Sequence, residues 1–189
     1  MVSAGEALFL ARHHKLPTRL LDWTANALYA LYFACVPNLE KPEKPAKVWV
    51  MHRPRDGEHG GNNDIDPFEL GRQEQETALF KFLGPSDTDY LKIIYPFLNS
   101  PRLVAQDGAF TVHSEPKRSI ESYVDTEFEE KNLHLEALYF WCIPAANKVS
   151  IIKELSGLGI TERTVYPDLD GLAKSIWETE VLWNGVPEL

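Results

Sequence analysis

The stretch "HHKLPTRLLDWTANALYALYFAC", residues 13–35, places charged, aromatic and hydroxyl side chains directly before an apolar run. Charged groups lose solvation on burial and must be paired to stay there, so the polar turn is interpreted as either a strained site or a structural clamp. The run after it predicts a helix that ends at Pro37, because its apolar residues recur at helical spacing: Leu28, Leu31, Tyr32 and Cys35.

The turn itself carries two specific predictions. Arg19 and Asp22 are three residues apart at the start of a helix, a spacing that favours an ion pair between them. Asp22 or Thr24 is expected to cap the helix N-terminus, since short oxygen-bearing side chains accept hydrogen bonds from the first free amides. Trp23 is expected to pack in the core rather than to stack on a ligand.

Composition narrows the class of protein. The chain has 189 residues and a net charge of −9, which disfavours binding to nucleic acid or to an anionic membrane, because both require a positive surface. Cys35 and Cys142 lie among bulky apolar residues without metal-like spacing, so both are predicted to be buried, reduced thiols. No apolar run reaches the length of a membrane span, and the N-terminus does not resemble a secretory leader; we therefore expect a cytoplasmic protein.

The remaining segments predict an α+β fold. Helices are expected over residues 4–15 and in two closing segments, one ending at a left-handed Gly157 and one beginning behind Pro167 and Asp168. "KVWVMH" is predicted to be a strand, "RLVAQDGAFTVHS" a strand, turn and strand, and "LEALYFWCIPA" a central strand buried on both faces. Residues 53–76, rich in Gly, Asn and Asp, predict a flexible insertion. The chain is thus expected to be a single domain over residues 1–189, with a small mixed or mainly antiparallel sheet flanked by helices.

The quoted stretch closely resembles the signature of FRG domains, and the later segments "RLVAQDGAF" and "GITERTVYPDLDGLAKSI" follow in that family's order. The resemblance extends over about residues 8 to 176. It implies an aromatic-Arg-Gly motif N-terminal to the signature, which the sequence does not contain there, so the domain is expected to be N-terminally incomplete. FRG domains are largely uncharacterised biochemically.

The order of these motifs is also similar to that of the ADP-ribosyltransferase core. Thr24 occupies the hydroxyl position, the helix carries Ala-x-x-Phe-Ala at residues 30–34, and Gln106 precedes Gly-x-Phe. The resemblance implies NAD as a substrate and Thr24 and Gln106 as catalytic residues. It also implies binding of the anionic ligand by the polar residues around the turn: His13, His14, Arg19 and Asp22. An amide at residue 106 can hydrogen-bond a ribose hydroxyl but cannot stabilise a cationic sugar as an anion would.

Two functions remain open. An enzyme requires a cleft where Arg19, Thr24 and Gln106 converge, whereas a non-catalytic protein- or ligand-binding module would have them face a packed core or a partner surface. The expected partner is a small anionic ligand, a nucleotide or another protein, not nucleic acid or a membrane. No metal site is expected, because adjacent histidines such as His13 and His14 point apart.

Overall fold

The computed structural model describes residues 4–13, 16–37, 43–51, 91–95, 101–115, 117–122 and 138–179. The insertion predicted at residues 53–76 and His14 lie outside these ranges. The described elements, in chain order, are α1 (Ala4–His13), β1 (Leu21–Thr24), α2 (Ala27–Cys35), β2 (Ala46–Met51), β3 (Leu91–Ile94), α3 (Pro101–Ala105), β4 (Gly108–His113), β5 (Leu138–Ile143), a 3₁₀ turn (Ala145–Asn147), α4 (Lys148–Gly157), α5 (Glu162–Val165) and α6 (Leu169–Thr179). This mixture of helices and small sheets confirms the predicted α+β class.

The chain divides into two compact units. The first comprises Met1–Trp23, Met51–Phe97 and Gly108–Tyr139, and the second comprises Thr24–Val50, Leu98–Asp107 and Phe140–Leu189. A three-stranded sheet has the order β1-β4-β3, and a two-stranded sheet pairs β2 with β5. That the whole chain forms a single domain stays a prediction.

The core of the first unit forms where α1 packs on the three-stranded sheet. Strands β3 and β4 run antiparallel, with Ile94 opposite Phe110. Phe110 stacks on Phe9 of α1 with ring centroids 5.2 Å apart, and both side chains are buried. The indole Nε1 of Trp23 donates to the fully buried Thr111 hydroxyl at 3.0 Å, so the Trp23 ring is held by the protein itself.

The core of the second unit is built on one face of α2. Tyr32 and Cys35 are buried as the helical spacing predicts, and α2 ends two residues before Pro37. They belong to a cluster that also takes in residues from β2, β5, α4 and α5: Val48, Ile143, Ile152, Leu155 and Val165. Leu28, at the first position of the predicted stripe, is instead 41% exposed and is not part of this cluster.

The cap of α2 differs from the prediction. Asn26 is the N-cap, with extended backbone dihedrals, and its side-chain oxygen accepts from the amides of Leu28 and Tyr29. Asp22 and Thr24 cannot act as caps, because both lie in strand β1 and the helix begins three residues after Thr24.

Two predictions of strand structure are wrong. Residues from Pro101 to Ala105 form a short helix rather than a strand, since proline suits the first turn of a helix, and the left-handed residue of the following turn is Asp107 (φ 47°). Strand β5 is not buried on both faces, because β2 is its one strand neighbour among the described residues. Trp141 is 61% exposed and Cys142 is an exposed free thiol, which contradicts its predicted burial.

The closing helices form near their predicted positions. Helix α4 includes Gly157, and the left-handed conformation falls on Gly159 (φ 83°) instead. Helix α6 begins directly after Asp168, whose carboxylate accepts from the Gly171 amide at 2.7 Å. Gly171 is required there, because a Cβ atom would come within 1.9 Å of the Tyr166 carbonyl oxygen.

Candidate functional site

Arg19 secures the end of strand β4. Its Nη2 donates to the backbone carbonyls of His113 at 2.7 Å and Ser114 at 2.9 Å. These are charge-assisted hydrogen bonds to backbone carbonyls at the end of the strand. The guanidinium therefore has a structural role in linking the signature turn to β4 within the first unit.

Asp22 pairs with Arg12, not with Arg19. Arg12 Nε donates to both carboxylate oxygens of Asp22, at 2.9 and 3.1 Å, and Nη2 makes a further contact to the same carboxylate. The predicted Arg19–Asp22 pair is wrong because Asp22 lies in an extended strand, where residues three apart do not meet as they do on a helix. The hydrogen bond to Asp22 raises the pKa of Arg12. No periodicity in the sequence connects Arg12 to a residue ten positions later.

Thr24 and Gln106, the two predicted catalytic residues, lie together in the second unit. The Thr24 hydroxyl donates to the Gln106 backbone carbonyl at 2.7 Å and accepts from the Asn26 amide at 3.1 Å. A further bond runs from the Ala25 amide to the carbonyl of Asp107 at 2.9 Å. The segment that precedes α2 is thus fastened to the turn after α3, and Thr24 is the residue that joins them.

The side chain of Gln106 is incompletely satisfied. Its Nε2 is buried and has no hydrogen-bond partner in the described part of the chain. A buried donor without a partner costs about 1 to 3 kcal/mol, so it needs an explanation in a native structure. The next residue, Asp107, adopts a left-handed conformation that side chains other than glycine rarely take. An unsatisfied donor and a strained residue thus stand side by side at the start of β4.

The side chains of His13 and His14, which were predicted to bind the ligand, are not among those that the structure describes. His13 is the last residue of α1, and only its backbone position is described, while His14 lies outside the described residues. Their predicted part in ligand binding stays a prediction. Arg19 and Asp22 lie in the first unit, whereas Thr24 and Gln106 lie in the second.

His113 is a titratable residue that the sequence did not single out. Burial is the main cause that lowers the pKa of His113, and the positive charge of Arg19 lowers it further, while Glu115 and a backbone hydrogen bond with Arg118 oppose the shift. The imidazole is therefore held preferentially neutral beside the Arg19 clamp. Since neutral imidazole is the weaker anion ligand, His113 adds no fixed positive charge to this region.

A buried carboxylate forms a second polar cluster in the second unit. Glu162, only 3% exposed, accepts from the Tyr32 hydroxyl at 2.8 Å and lies 3.4 Å from Lys174 Nζ. The Tyr166 ring next to it is flanked by cations, with the Arg102 guanidinium 4.3 Å from the ring centroid and Lys174 Nζ at 5.8 Å. Each buried charge has a partner, so this cluster is a structural network that ties α2 to α5.

The described ranges contain neither a candidate metal-binding cluster nor a helix that could span a membrane. No group of three or more histidine, cysteine or acidic residues there is placed to hold a metal ion. In the same part of the chain, none of the helices has the length and apolar character to cross a bilayer.

Comparison with known proteins identifies the N-terminal segment. Residues 2–43 match the family model of the FRG domain, which confirms the resemblance carried by the signature stretch. No curated protein and no solved structure matches the chain. The matched range contains Arg12, Arg19, Asp22, Thr24 and Asn26, so the family signature coincides with the residues that hold the turn together.

Proposed function

We propose that this chain is an ADP-ribosyltransferase-like domain that binds the ADP-ribosyl portion of NAD through Gln106 and turns it over slowly. The observation that carries the proposal is the buried Nε2 of Gln106, which lacks a hydrogen-bond partner among the described residues. A ribose hydroxyl or a phosphoryl oxygen is an acceptor that would satisfy this donor. The order of the sequence motifs supplies the choice of ligand class.

Thr24 supports the proposal as a positioning residue. Its hydroxyl proton is committed to the Gln106 carbonyl, so Thr24 fixes the backbone from which the amide side chain projects. One of its two lone pairs accepts from the Asn26 amide, which leaves the other able to accept from a ligand hydroxyl. A preorganised donor of this kind binds a ligand without a large cost in side-chain entropy.

The chemistry of the pair favours binding over turnover. Cleavage of the nicotinamide bond develops positive charge on the ribose, and an anionic side chain near that carbon lowers the barrier. Gln106 is neutral and cannot provide this stabilisation. Asp107, the neighbouring carboxylate, is exposed and its side chain is well solvated, so it is a weak substitute.

The alternative is a non-catalytic protein- or ligand-binding module. It is favoured by the engagement of Arg19 and Asp22 with protein groups, since an arginine that holds two carbonyls is less suited to clamp a pyrophosphate. The two functions differ in whether the Gln106 amide meets a nucleotide.

Isothermal titration calorimetry with NAD and with ADP-ribose tests the proposal. We expect millimolar or tighter binding to the native chain, and a loss of about tenfold or more in Gln106→Leu, because a hydrogen bond to a ligand is removed. Ser150→Ala is the matched control: within the described part of the chain, its exposed hydroxyl bonds the Asn147 carbonyl and no other group. Gln106→Leu should also raise the melting temperature of the free protein, since it removes a buried unsatisfied donor.

An NAD hydrolysis assay measures turnover in the same samples. Binding of both ligands with little release of nicotinamide is the expected result. Absence of binding at millimolar NAD and ADP-ribose, or equal affinity of Gln106→Leu and the native chain, would contradict the proposal and favour the binding module.

A further inference from the structure

A cleft in the second unit lies apart from every residue of the FRG signature. It occupies about 320 Å³ between the end of α4, the turn that follows it, α5 and α6. Ile152 and Ile160 are the apolar side chains of its described lining, and the other described lining residues are polar except for Gly159. The polar lining residues are five hydroxyl side chains and one cation: Ser156, Thr161, Thr164, Ser175, Thr179 and Arg163.

Arg163 is the one charged residue among the lining residues that the structure describes. It is exposed, and it makes no ion pair or hydrogen bond with the residues that the structure describes. The chain as a whole has a net charge of −9, so a guanidinium that has neither an ion-pair partner nor an acidic neighbour among the described lining residues is a local exception. The planar set of N–H donors on its guanidinium matches the oxygens of a phosphate or carboxylate. A ligand of this cleft is therefore expected to carry a negative charge.

The hydroxyl groups specify a second property of the ligand. Ser175 donates to the Leu172 carbonyl at 2.8 Å, and Thr179 donates to the Ser175 carbonyl at 2.9 Å. Thr164 likewise donates to backbone carbonyls, including that of Gly159 at 2.9 Å. Because the Ser175 and Thr179 protons are committed to the protein, their oxygens offer lone pairs to the cleft, whereas the Thr164 oxygen already accepts from the Thr161 amide at 2.9 Å. A ligand that fits them must bring donors of its own.

We propose that this cleft binds a small anionic polyol of the sugar-phosphate or polyol-phosphate class. The phosphate would contact Arg163, and the ligand hydroxyls would donate to the hydroxyl oxygens of the lining. The carbon skeleton would lie against Ile152 and Ile160. The volume is at the lower end of the range found for small-molecule sites, so it suits a single sugar or a shorter polyol rather than a dinucleotide. The site is independent of the proposed NAD-binding residues, since Thr24 and Gln106 do not line it.

Titrations followed by NMR or calorimetry test this assignment with three probes: glycerol 3-phosphate, inorganic phosphate and glycerol. Glycerol 3-phosphate is expected to bind most tightly, phosphate alone more weakly, and glycerol not measurably at the same concentrations. Arg163→Gln should weaken binding of glycerol 3-phosphate by about tenfold or more, because a charge-assisted hydrogen bond is lost. Raising the ionic strength should also weaken it, since Arg163 is exposed to solvent.

Lys44→Gln is the matched control, because it removes one exposed positive charge away from the cleft and should leave the affinity unchanged. Ser175→Ala separates hydroxyl recognition from charge: because the Ser175 proton is committed to the Leu172 carbonyl, the variant should weaken glycerol 3-phosphate binding without affecting phosphate. Gln106→Leu should leave the affinities for glycerol 3-phosphate and for phosphate unchanged. The two proposals are therefore tested independently: a negative result for this cleft does not contradict the proposed NAD site, and a negative result for NAD does not contradict this cleft. Absence of glycerol 3-phosphate binding at millimolar concentration, or equal affinity in Arg163→Gln and the native chain, would overturn the assignment.

Discussion

The hydroxyl of Tyr32 offers a sharp test of how α2 is tied to the rest of its unit. Tyr32→Phe removes one oxygen atom and keeps the ring that packs in the core. The lost group donates to Glu162 Oε2 at 2.8 Å, and the Glu162 side chain is 4% exposed. Water therefore has little access to replace the missing donor, and among the described side chains the carboxylate keeps the more distant Lys174 ammonium as its partner.

Tyr32→Phe is expected to lower the free energy of unfolding by about 2 kcal/mol. Hydrogen bonds to charged groups contribute about 1.5 to 3 kcal/mol, and the acceptor stays buried in the variant. For a chain of this size, that cost corresponds to a fall of about 4 to 8 °C in melting temperature. Urea unfolding should show a lower midpoint with an unchanged slope, since the core surface buried on folding is the same.

Tyr29→Phe is the matched control on the same helix, because the Tyr29 side chain makes no hydrogen bond with the residues that the structure describes. It should change stability by less than about 0.5 kcal/mol. A Glu162→Gln background should reduce the effect of Tyr32→Phe, since the two groups interact. The reasoning is refuted if Tyr32→Phe and Tyr29→Phe have equal stability, or if the effect of Tyr32→Phe is unchanged in the Glu162→Gln background.

Three other expectations concern residues of the signature and its surroundings. Asp22→Asn should lower the unfolding free energy by less than about 1 kcal/mol in urea titrations, because the pair with Arg12 is largely solvated; a larger loss would mean that the carboxylate has a further role. In the native protein, a thiol reagent should label Cys142 quickly and Cys35 slowly, because Cys142 is exposed while burial raises the pKa of Cys35; equal rates would contradict this. The folded-state pKa of His113 is lowered below its usual value, so protonation favours the unfolded chain, and stability should fall as the pH drops through about 6.5 and level off below the folded pKa. His113→Gln should flatten that part of the pH profile in thermal melts, and an unchanged profile would contradict the assignment.

Local patterns in the sequence were sufficient for the features that depend on neighbouring residues. The helical spacing of Tyr32 and Cys35 identified the buried face of α2, because side chains three or four residues apart share a face of a helix. Pro37 marked where the helix ends, because proline cannot continue a helix. Pro167 and Asp168 identified the start of α6 for the same local reason. The FRG signature was also legible from residues alone, since its motif is contiguous.

Partners distant in sequence were decided only by the tertiary structure. Arg19 was expected to meet Asp22, yet it bonds carbonyls more than ninety residues away, at His113 and Ser114, while Asp22 meets Arg12. Periodicity describes which residues share a face of one element; it contains no information about which element packs against that face. The exposure of strand β5 could not be predicted for the same reason. An apolar run has the same sequence pattern whether the strand is central and covered on both faces or lies in a small sheet with one face exposed.

For the candidate site, too, the sequence predicted the residues and the tertiary structure decided their contacts. The sequence by itself led to the prediction that Thr24 and Gln106 are catalytic residues, because their order along the chain is similar to that of the ADP-ribosyltransferase core. Only the tertiary structure decided that the Thr24 hydroxyl bonds the Gln106 carbonyl and that the Gln106 amide is buried without a partner among the described residues. The physical reason is that hydrogen-bond satisfaction depends on which groups meet in three dimensions, and these two residues are 82 positions apart.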